Sequence, residues 1–189
     1  MRAILRRQEV DGSLDFGRVF ATIAGFLEAE GFPFAVVGAF GLHAFGVTRA
    51  TQDLDMATDA TAQAKLVAFL ESLGYETLHM SEGYSNHLHA NPSFGRVDFV
   101  YLRGETSRRL FGGCRDRFTL GGRPVPVPRA EHLVAMKVQA LKNDPGRSFQ
   151  DLADVRSLLL LTDIDQDEIE GYFVRAGLKD KLDEIRKTL

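Results

Sequence analysis

Val36-Val37-Gly38-Ala39 is followed by Arg49-Ala50-Thr51-Gln52-Asp53-Leu54-Asp55 and, much later in the chain, by Arg96-Val97-Asp98. The first stretch reads as a buried strand that ends in a glycine turn and leads into a short helix. The other two read as strands in which aspartates stand among apolar residues. Together they predict three aspartates around one point, beside a notch of the size of a phosphate group.

The length of 189 residues fits one compact domain, or one domain with a small helical appendage. Hydrophobic residues make up 44% of the chain, and no apolar stretch is long enough to span a membrane. The segment 1–7 has basic residues without a long apolar region, so we expect no secretory leader. The single cysteine, Cys114, excludes an intramolecular disulfide and is read as an ordinary loop thiol of a cytoplasmic protein.

The net charge of −3 argues against a general nucleic-acid binder, but the charge is unevenly distributed. Between Arg96 and Arg129 there are eight arginines and only three acidic residues. Such a run is typical of a surface that follows a phosphate backbone. Solvated loops and strand edges explain it equally well, and both interpretations stay open here.

Hydrophobic periodicity predicts an α+β fold, in which a mixed β-sheet flanked by helices is followed by a C-terminal helical bundle. We expect domains at 1–127 and 128–189. A looser hairpin region surrounds Gly112-Gly113 and Gly121-Gly122. Strands are predicted over 34–37, 51–58, 75–80, 84–90 and 96–102, and helices over 14–30, 40–45, 61–73, 129–142, 148–161, 165–176 and 178–187.

The acidic residues are the strongest chemical signal. Asp53 and Asp55 are two positions apart on a strand, so their side chains face the same side of the sheet. Asp98 stands in a strongly apolar strand, where an unpaired carboxylate is costly. If that strand lies beside the first, a divalent cation would relieve the repulsion among three carboxylates. Mg²⁺ prefers such oxygen ligands, and metal ions held this way assist phosphoryl or nucleotidyl transfer.

Other acidic residues have a simpler explanation. Asp163, Asp165 and Asp167 stand at a predicted helix start, where carboxylates favour the positive end of the helix dipole, so we assign them to capping. Gly38 permits a positive φ or a close backbone approach, and the helix after it would direct its first amides at an anion. Arg49 would either hold a triphosphate or neutralise Asp53.

Two further sets of residues leave alternatives open. Lys137 follows the core-facing spacing of its helix, so it either meets a carboxylate or phosphate inside the protein or extends to solvent. Asp151 and Asp154 fall on the next helix, and Lys137, Lys142 and Arg147 are alternative partners for them. His87 and His89 share one strand face and would bind a transition metal with Asp98 only if a further ligand were present.

The quoted stretches resemble the minimal nucleotidyltransferase superfamily, which has the polymerase-β-like fold. The nearer resemblance is to its AbiEii-like branch, which includes toxins of toxin–antitoxin and abortive-infection systems. The resemblance covers about 34–160, and the motifs that carry it are Val37-Gly38-Ala39, Arg49 to Asp55, Val97-Asp98, Lys137 and Asp151-Leu152-Ala153-Asp154.

The resemblance implies a role for each matched residue. Asp53, Asp55 and Asp98 would be the catalytic residues and would hold Mg²⁺ or Mn²⁺, with Asp98 helping to deprotonate the acceptor hydroxyl. The nucleotide-binding residues would lie on the other side of the site. They would be Gly38 and Ala39 through their backbone, with Arg49 and Lys137 on the triphosphate.

The implied activity is transfer of NMP from an NTP to a macromolecular hydroxyl on RNA, such as tRNA, or on protein. A toxin of this kind would have a cognate antitoxin as a partner. At Ala39 the sequence departs from the family pattern, which has glycine or serine there. The backbone amide is kept and a serine hydroxyl is absent, so the alternative is a catalytically degenerate binding or regulatory protein.

Overall fold

The computed structural model describes residues 14–143, 146 and 148–189. The segment on which the absence of a secretory leader was judged lies outside the described residues. The strands are β1 (Phe34–Val36), β2 (Asp53–Asp59), β3 (Tyr75–Met80), β4 (Tyr84–His89), β5 (Arg96–Leu102), β6 (Arg115–Leu120) and β7 (Arg123–Val127). The helices are α1 (Phe16–Ala29), α2 (Gly38–His43), α3 (Gln63–Ser72), α4 (Gly104–Gly112), α5 (Ala130–Asn143), α6 (Ser148–Leu159), α7 (Gln166–Ala176) and α8 (Lys179–Arg186).

The predicted α+β class is confirmed by a mixed five-stranded sheet with the order β1-β2-β5-β4-β3. β2 and β5 run parallel, and the other neighbouring pairs in this sheet are antiparallel. β5 is therefore the central strand, with β2 on one side and β4 on the other. β6 and β7 form a separate two-stranded sheet.

Alternation along β5 separates the core from the site. Val97 and Phe99 are completely buried among the apolar side chains of the core, and Asp98 between them faces the other side of the sheet. β2 shows the same alternation: Leu54 and Met56 are buried in this core, and Asp55 between them faces the other side of the sheet. Burial of the apolar residues of β2 and β5 on one face of the sheet thus places the carboxylates on the other face.

Helix α4 was not predicted. This helix occupies Gly104–Gly112, within the stretch before Gly112-Gly113 to which no helix was assigned. Its surface is mostly polar, and Ser107 and Leu110 are its buried residues. Because α4 has so few apolar residues, its sequence lacks the hydrophobic periodicity that predicts a helix. The predicted hairpin follows as β6 and β7, joined at Gly121-Gly122, both of which have positive φ.

Helices α5 to α8 follow the sheet as the predicted C-terminal helical part. One hydrophobic cluster runs from Val19 of α1 to Ile185 of α8, so these helices share their core with the sheet. The domain division at residue 128 stays a prediction. Within the described residues, no helix is long and apolar enough to cross a membrane.

Candidate nucleotidyl-transfer site

Three carboxylates singled out from the sequence lie together at one end of the central strands. In the parallel β2–β5 pair, Asp55 stands opposite Asp98, and Asp53 is two positions before Asp55 on the same face. One oxygen from each of the three lies within 4.8 Å of the others. We call these residues the acidic triad. Their convergence follows from the parallel register, because paired residues of neighbouring strands point to the same side.

The electrostatics of the acidic triad centre on Asp55. Burial, reinforced by the nearby charges of Asp53 and Asp98, raises the pKa of Asp55 from 3.8 to about 7. Lys137 and Arg49 oppose this rise without cancelling it. Burial and the neighbouring carboxylates therefore both disfavour the ionised form of Asp55. Three converging carboxylates fit a hard divalent cation such as Mg²⁺ or Mn²⁺.

Gly38 lies against the acidic triad. Its φ is +56°, and a Cβ at this position would overlap the Asp55 carboxylate. The neighbouring Val37 N–H donates to the Asp55 carbonyl at 3.0 Å, which holds the turn beside β2. Ala39, the next residue, is 1% exposed. The close approach predicted for Gly38 is confirmed.

Asp98 has partners that the sequence analysis missed. Arg96 donates from Nε to Oδ1 at 2.8 Å and from Nη2 to Oδ2 at 2.9 Å, and the Tyr84 hydroxyl donates to Oδ2 at 2.9 Å. Asn86 in turn donates to the Tyr84 oxygen. The pairing of Arg96 with Asp98 could have been predicted from the sequence, because Arg96 precedes Asp98 by two positions on one strand. Tyr84 required knowledge that β4 pairs with β5.

Lys137 points inward and meets the carboxylates of α6. Its Nζ lies 2.8 Å from Asp151 Oδ1 and 2.7 Å from Asp154 Oδ2, and its side chain is 13% exposed. Arg49 reaches the same cluster, with Nε 3.7 Å from Asp154 Oδ2. Its ion pair is thus with Asp154, and the expectation that it might instead neutralise Asp53 is not met. Asp53 accepts a hydrogen bond from the Thr51 hydroxyl.

The acidic triad and the Lys137 cluster open onto one cleft of about 1100 Å³. The cleft lies between the sheet and helices α4, α5 and α7. Val100 and Leu102 continue its lining along β5, and Arg109, Tyr172 and Arg175 line it on the helices. A space of this size accommodates a nucleotide together with part of a second substrate.

A second charged cluster ties the helices together at this cleft. Glu168 of α7 accepts a hydrogen bond from the Tyr172 hydroxyl at 2.6 Å and lies 3.0 Å from Arg129 Nη2. Arg129 also lies 3.1 Å from Glu131, whose carboxylate accepts the Asp165 N–H. Burial, with the hydrogen bond to Glu168, raises the pKa of Tyr172 to about 12. These groups satisfy one another, and we assign them a structural role.

The histidine alternative does not fit the structure. His87 is completely buried on the core face of β4, opposite Val97, and its ring bonds to Thr77 and Ser85. His89 bonds to the Leu73 carbonyl. Among the described residues, the acidic triad is the cluster able to hold a metal ion, and neither histidine belongs to it.

The charged residues outside the site have partners of their own. Asp165 caps α7 by accepting the Glu168 N–H at 2.9 Å, as predicted for this acidic run. Within the arginine-rich stretch, Arg117 stacks on the Phe45 ring and Arg115 donates to backbone carbonyls. Five of its eight arginines form ion pairs with carboxylates, which leaves less free positive charge than the sequence suggests: Arg96, Arg103, Arg109, Arg123 and Arg129.

Comparison with solved structures identifies the fold. The antibiotic-resistance factor ANT(2'')-Ia, solved in solution, is similar with a TM-score of 0.63 at 16% identity, covering 90% of this chain and 95% of its own. The lincosamide antibiotic adenylyltransferase LnuA, in its lincomycin-bound crystal structure, gives 0.54 at 16% identity, covering 79% of this chain and 100% of its own. An antigenic nucleotidyltransferase-like protein from Paracoccidioides brasiliensis gives 0.56 at 13% identity, covering 92% of each.

No protein-family model and no curated protein matches the chain. At identities this low, structural similarity establishes the fold alone. The chain therefore has the nucleotidyltransferase fold that the sequence resemblance implied.

Proposed function

We propose that this protein is a nucleotidyltransferase that moves NMP from an NTP to an acceptor hydroxyl with the help of Mg²⁺ or Mn²⁺. The observation that carries the proposal is the convergence of Asp53, Asp55 and Asp98 within 4.8 Å on two parallel strands. The nucleotidyltransferase fold of the chain supports it.

The carboxylates would divide the work between binding and proton transfer. Asp53 and Asp55 would hold the divalent cation, and Asp98 would complete its site. When bound, the cation supplies positive charge that stabilises both the attacking oxygen and the leaving pyrophosphate. The acceptor oxygen forms a bond to the α-phosphorus as the bond to the β-phosphate oxygen breaks. Asp98 helps to take the hydroxyl proton.

Backbone and cationic groups would bind the nucleotide. The amides at the start of α2, from Gly38 and Ala39, lack intrahelical partners and would face the phosphates. Arg49 and Lys137 would add positive charge, since both act electrostatically on Asp55 and both line the cleft. Asp151 and Asp154 would hold Lys137 in place through the ion pairs described above.

For the acceptor, we propose a macromolecular hydroxyl on RNA, such as tRNA, or on protein. The resemblance to the AbiEii-like branch supports this choice, and in that setting the protein would be a cytoplasmic toxin held in check by a cognate antitoxin. The pairing of five arginines with carboxylates reduces the support for RNA. A small hydroxyl compound is the second candidate, because LnuA and ANT(2'')-Ia are similar over nearly their whole length, and one ANT(2'')-Ia structure contains adenylyl-2''-tobramycin.

Label transfer from α-³²P-NTPs tests the activity. The four NTPs are incubated with Mg²⁺ and with total RNA, lysate protein or a panel of small hydroxyl compounds. Asp53→Asn with Asp55→Asn should abolish transfer, and Asp163→Asn, at an exposed turn, serves as the matched control. Transfer that survives the double substitution would refute the proposal.

The alternative, a degenerate binding or regulatory protein, rests on Ala39. Calorimetry separates the two. Binding of an NTP with Mg²⁺ that depends on Asp53 and Asp55 supports the enzyme. A stable complex with another protein and no NTP binding would support the regulator.

A further inference from the structure

The acidic triad is not symmetric, because one carboxylate is already paired with a cation. Arg96 forms a two-pronged hydrogen bond with Asp98. Asp53, in contrast, accepts from a neutral hydroxyl. Within the described part of the chain, Arg96 is the residue that forms an ion pair with a triad carboxylate.

The hydrogen bonds on Asp98 nearly exhaust its capacity. A carboxylate has about four lone-pair positions, two on each oxygen. Oδ2 uses both of its positions for Arg96 and Tyr84, and Oδ1 uses one for Arg96. One position on Oδ1 is left for a metal ion. Any closer approach of a cation to Asp98 must displace a guanidinium N–H and overcome the repulsion of its charge.

Arg96 is able to move away. Its side chain is 43% exposed and lines the cleft, whereas the Asp98 side chain is 7% exposed and held by the sheet. Two hydrogen bonds of the guanidinium go to Asp98, and its further electrostatic partner is the hydroxyl of Tyr84, which is itself bonded to Asp98.

We propose that Arg96 is a positioning residue that competes with a divalent cation for Asp98. Resting on the divalent site of the proposed function, this assigns a loading order. Asp53 and Asp55 would hold a divalent cation while Arg96 still covers Asp98. Asp98 becomes available to a cation and to the acceptor proton only after the guanidinium has swung into the cleft.

The test measures Mn²⁺ affinity directly, by electron paramagnetic resonance of free Mn²⁺ in titrations without nucleotide. Arg96→Gln removes the competing charge and keeps a polar side chain, and it should tighten Mn²⁺ binding about tenfold. Tyr84→Phe removes one neutral donor and should have a smaller effect. The matched control is Arg103→Gln, at a neighbouring arginine that is 61% exposed and 4.0 Å from Glu82. It should leave Mn²⁺ binding unchanged.

A double-mutant comparison separates competition from a general change of charge. In an Asp98→Asn background, Arg96→Gln should no longer tighten Mn²⁺ binding, because the contested carboxylate is gone. If Arg96→Gln does not fold, Arg96→Lys keeps the charge but loses the two-pronged geometry. It should then give a gain of about two- to threefold.

The outcomes distinguish this inference from the proposed function. Equal or weaker Mn²⁺ binding in both Arg96 variants would overturn the competition while leaving the nucleotidyltransferase proposal standing. Absence of Mn²⁺ binding in the wild type and in the variants would overturn both.

Discussion

The backbone of Gly38 lies so close to the carboxylate of Asp55 that any side chain at residue 38 would overlap it. The positive φ of Gly38 also favours glycine at this position. One glycine thus satisfies a turn and a close approach at once, and both bring the start of α2 to the acidic triad.

Gly38→Ala should therefore weaken both folding and metal binding. Left-handed backbone strain costs about 1–2 kcal/mol, and displacement of the Asp55 carboxylate should weaken Mn²⁺ binding by at least about tenfold. Urea unfolding and Mn²⁺ titration measure the two effects. Gly46→Ala is the control, because Gly46 has a φ of +79° with open space around it. It should show the strain alone. Equal Mn²⁺ affinity in the two variants would contradict the close approach.

The raised pKa of Asp55 predicts a pH dependence of stability. The folded chain binds this proton more tightly than the unfolded chain, because the pKa rises from 3.8 to about 7. The proton on Asp55 therefore contributes fully to the stability of the folded state below pH 3.8, and this contribution is lost as the pH rises through about 7.

Asp55→Asn should accordingly be more stable than the wild type by about 4 kcal/mol at pH 8 without divalent cations. The difference should close toward pH 4, where the wild-type carboxyl is protonated, and Mg²⁺ should reduce it at pH 8. Thermal unfolding across this pH range measures it. A difference that does not vary with pH would show that the pKa of Asp55 is not raised in the folded chain.

Lys137 predicts a large effect on stability. Lys137→Met removes the cation that contacts both buried carboxylates and leaves Asp154 with only the more distant Arg49, which should cost about 3–5 kcal/mol. Lys142→Met, at an exposed position on the same helix, should cost less than about 0.5 kcal/mol. Adding Asp151→Asn and Asp154→Asn should recover much of the loss. Urea unfolding of the wild type and these variants measures whether Lys137 is coupled energetically to Asp151 and Asp154.

Cys114 should react slowly. Burial raises the pKa of its thiol to about 11, and its Sγ donates to the Leu110 carbonyl. At pH 8 the thiolate is scarce, so reaction with a disulfide reagent should be on the order of a hundredfold slower than in the unfolded chain. Absorbance after mixing, with and without urea, provides the measurement. Fast reaction of the folded chain would be inconsistent with a buried thiol.

The acidic triad was predictable because its signal is local. Two-residue spacing places Asp53 and Asp55 on one face, and apolar flanks place Asp98 in a strand. Only the adjacency of the two strands had to be supplied by the resemblance and by the structure. For Lys137 the helical spacing left both the interior and solvent open, and the structure decides for the interior through Asp151 and Asp154.

The parts that sequence could not predict depend on contacts between distant elements. Arg96 gains its role from Tyr84 as well as Asp98, which requires the β4–β5 pairing. Helix α4 lacks the apolar repeat that reveals a helix. The arginines could not be interpreted from their number, because their carboxylate partners lie elsewhere in the chain, as Glu28 does for Arg123 and Glu168 for Arg109.

The alternation of β5 between core and cleft has a consequence for folding. Asp55 and Asp98 lie far apart in sequence and meet only in one parallel register, in which Val97 and Phe99 fill the core. A slip of one residue would turn Asp98 inward and a phenylalanine outward. Metal binding at the proposed site would therefore report correct pairing of the central strands, and during refolding it should return only once that pairing has formed.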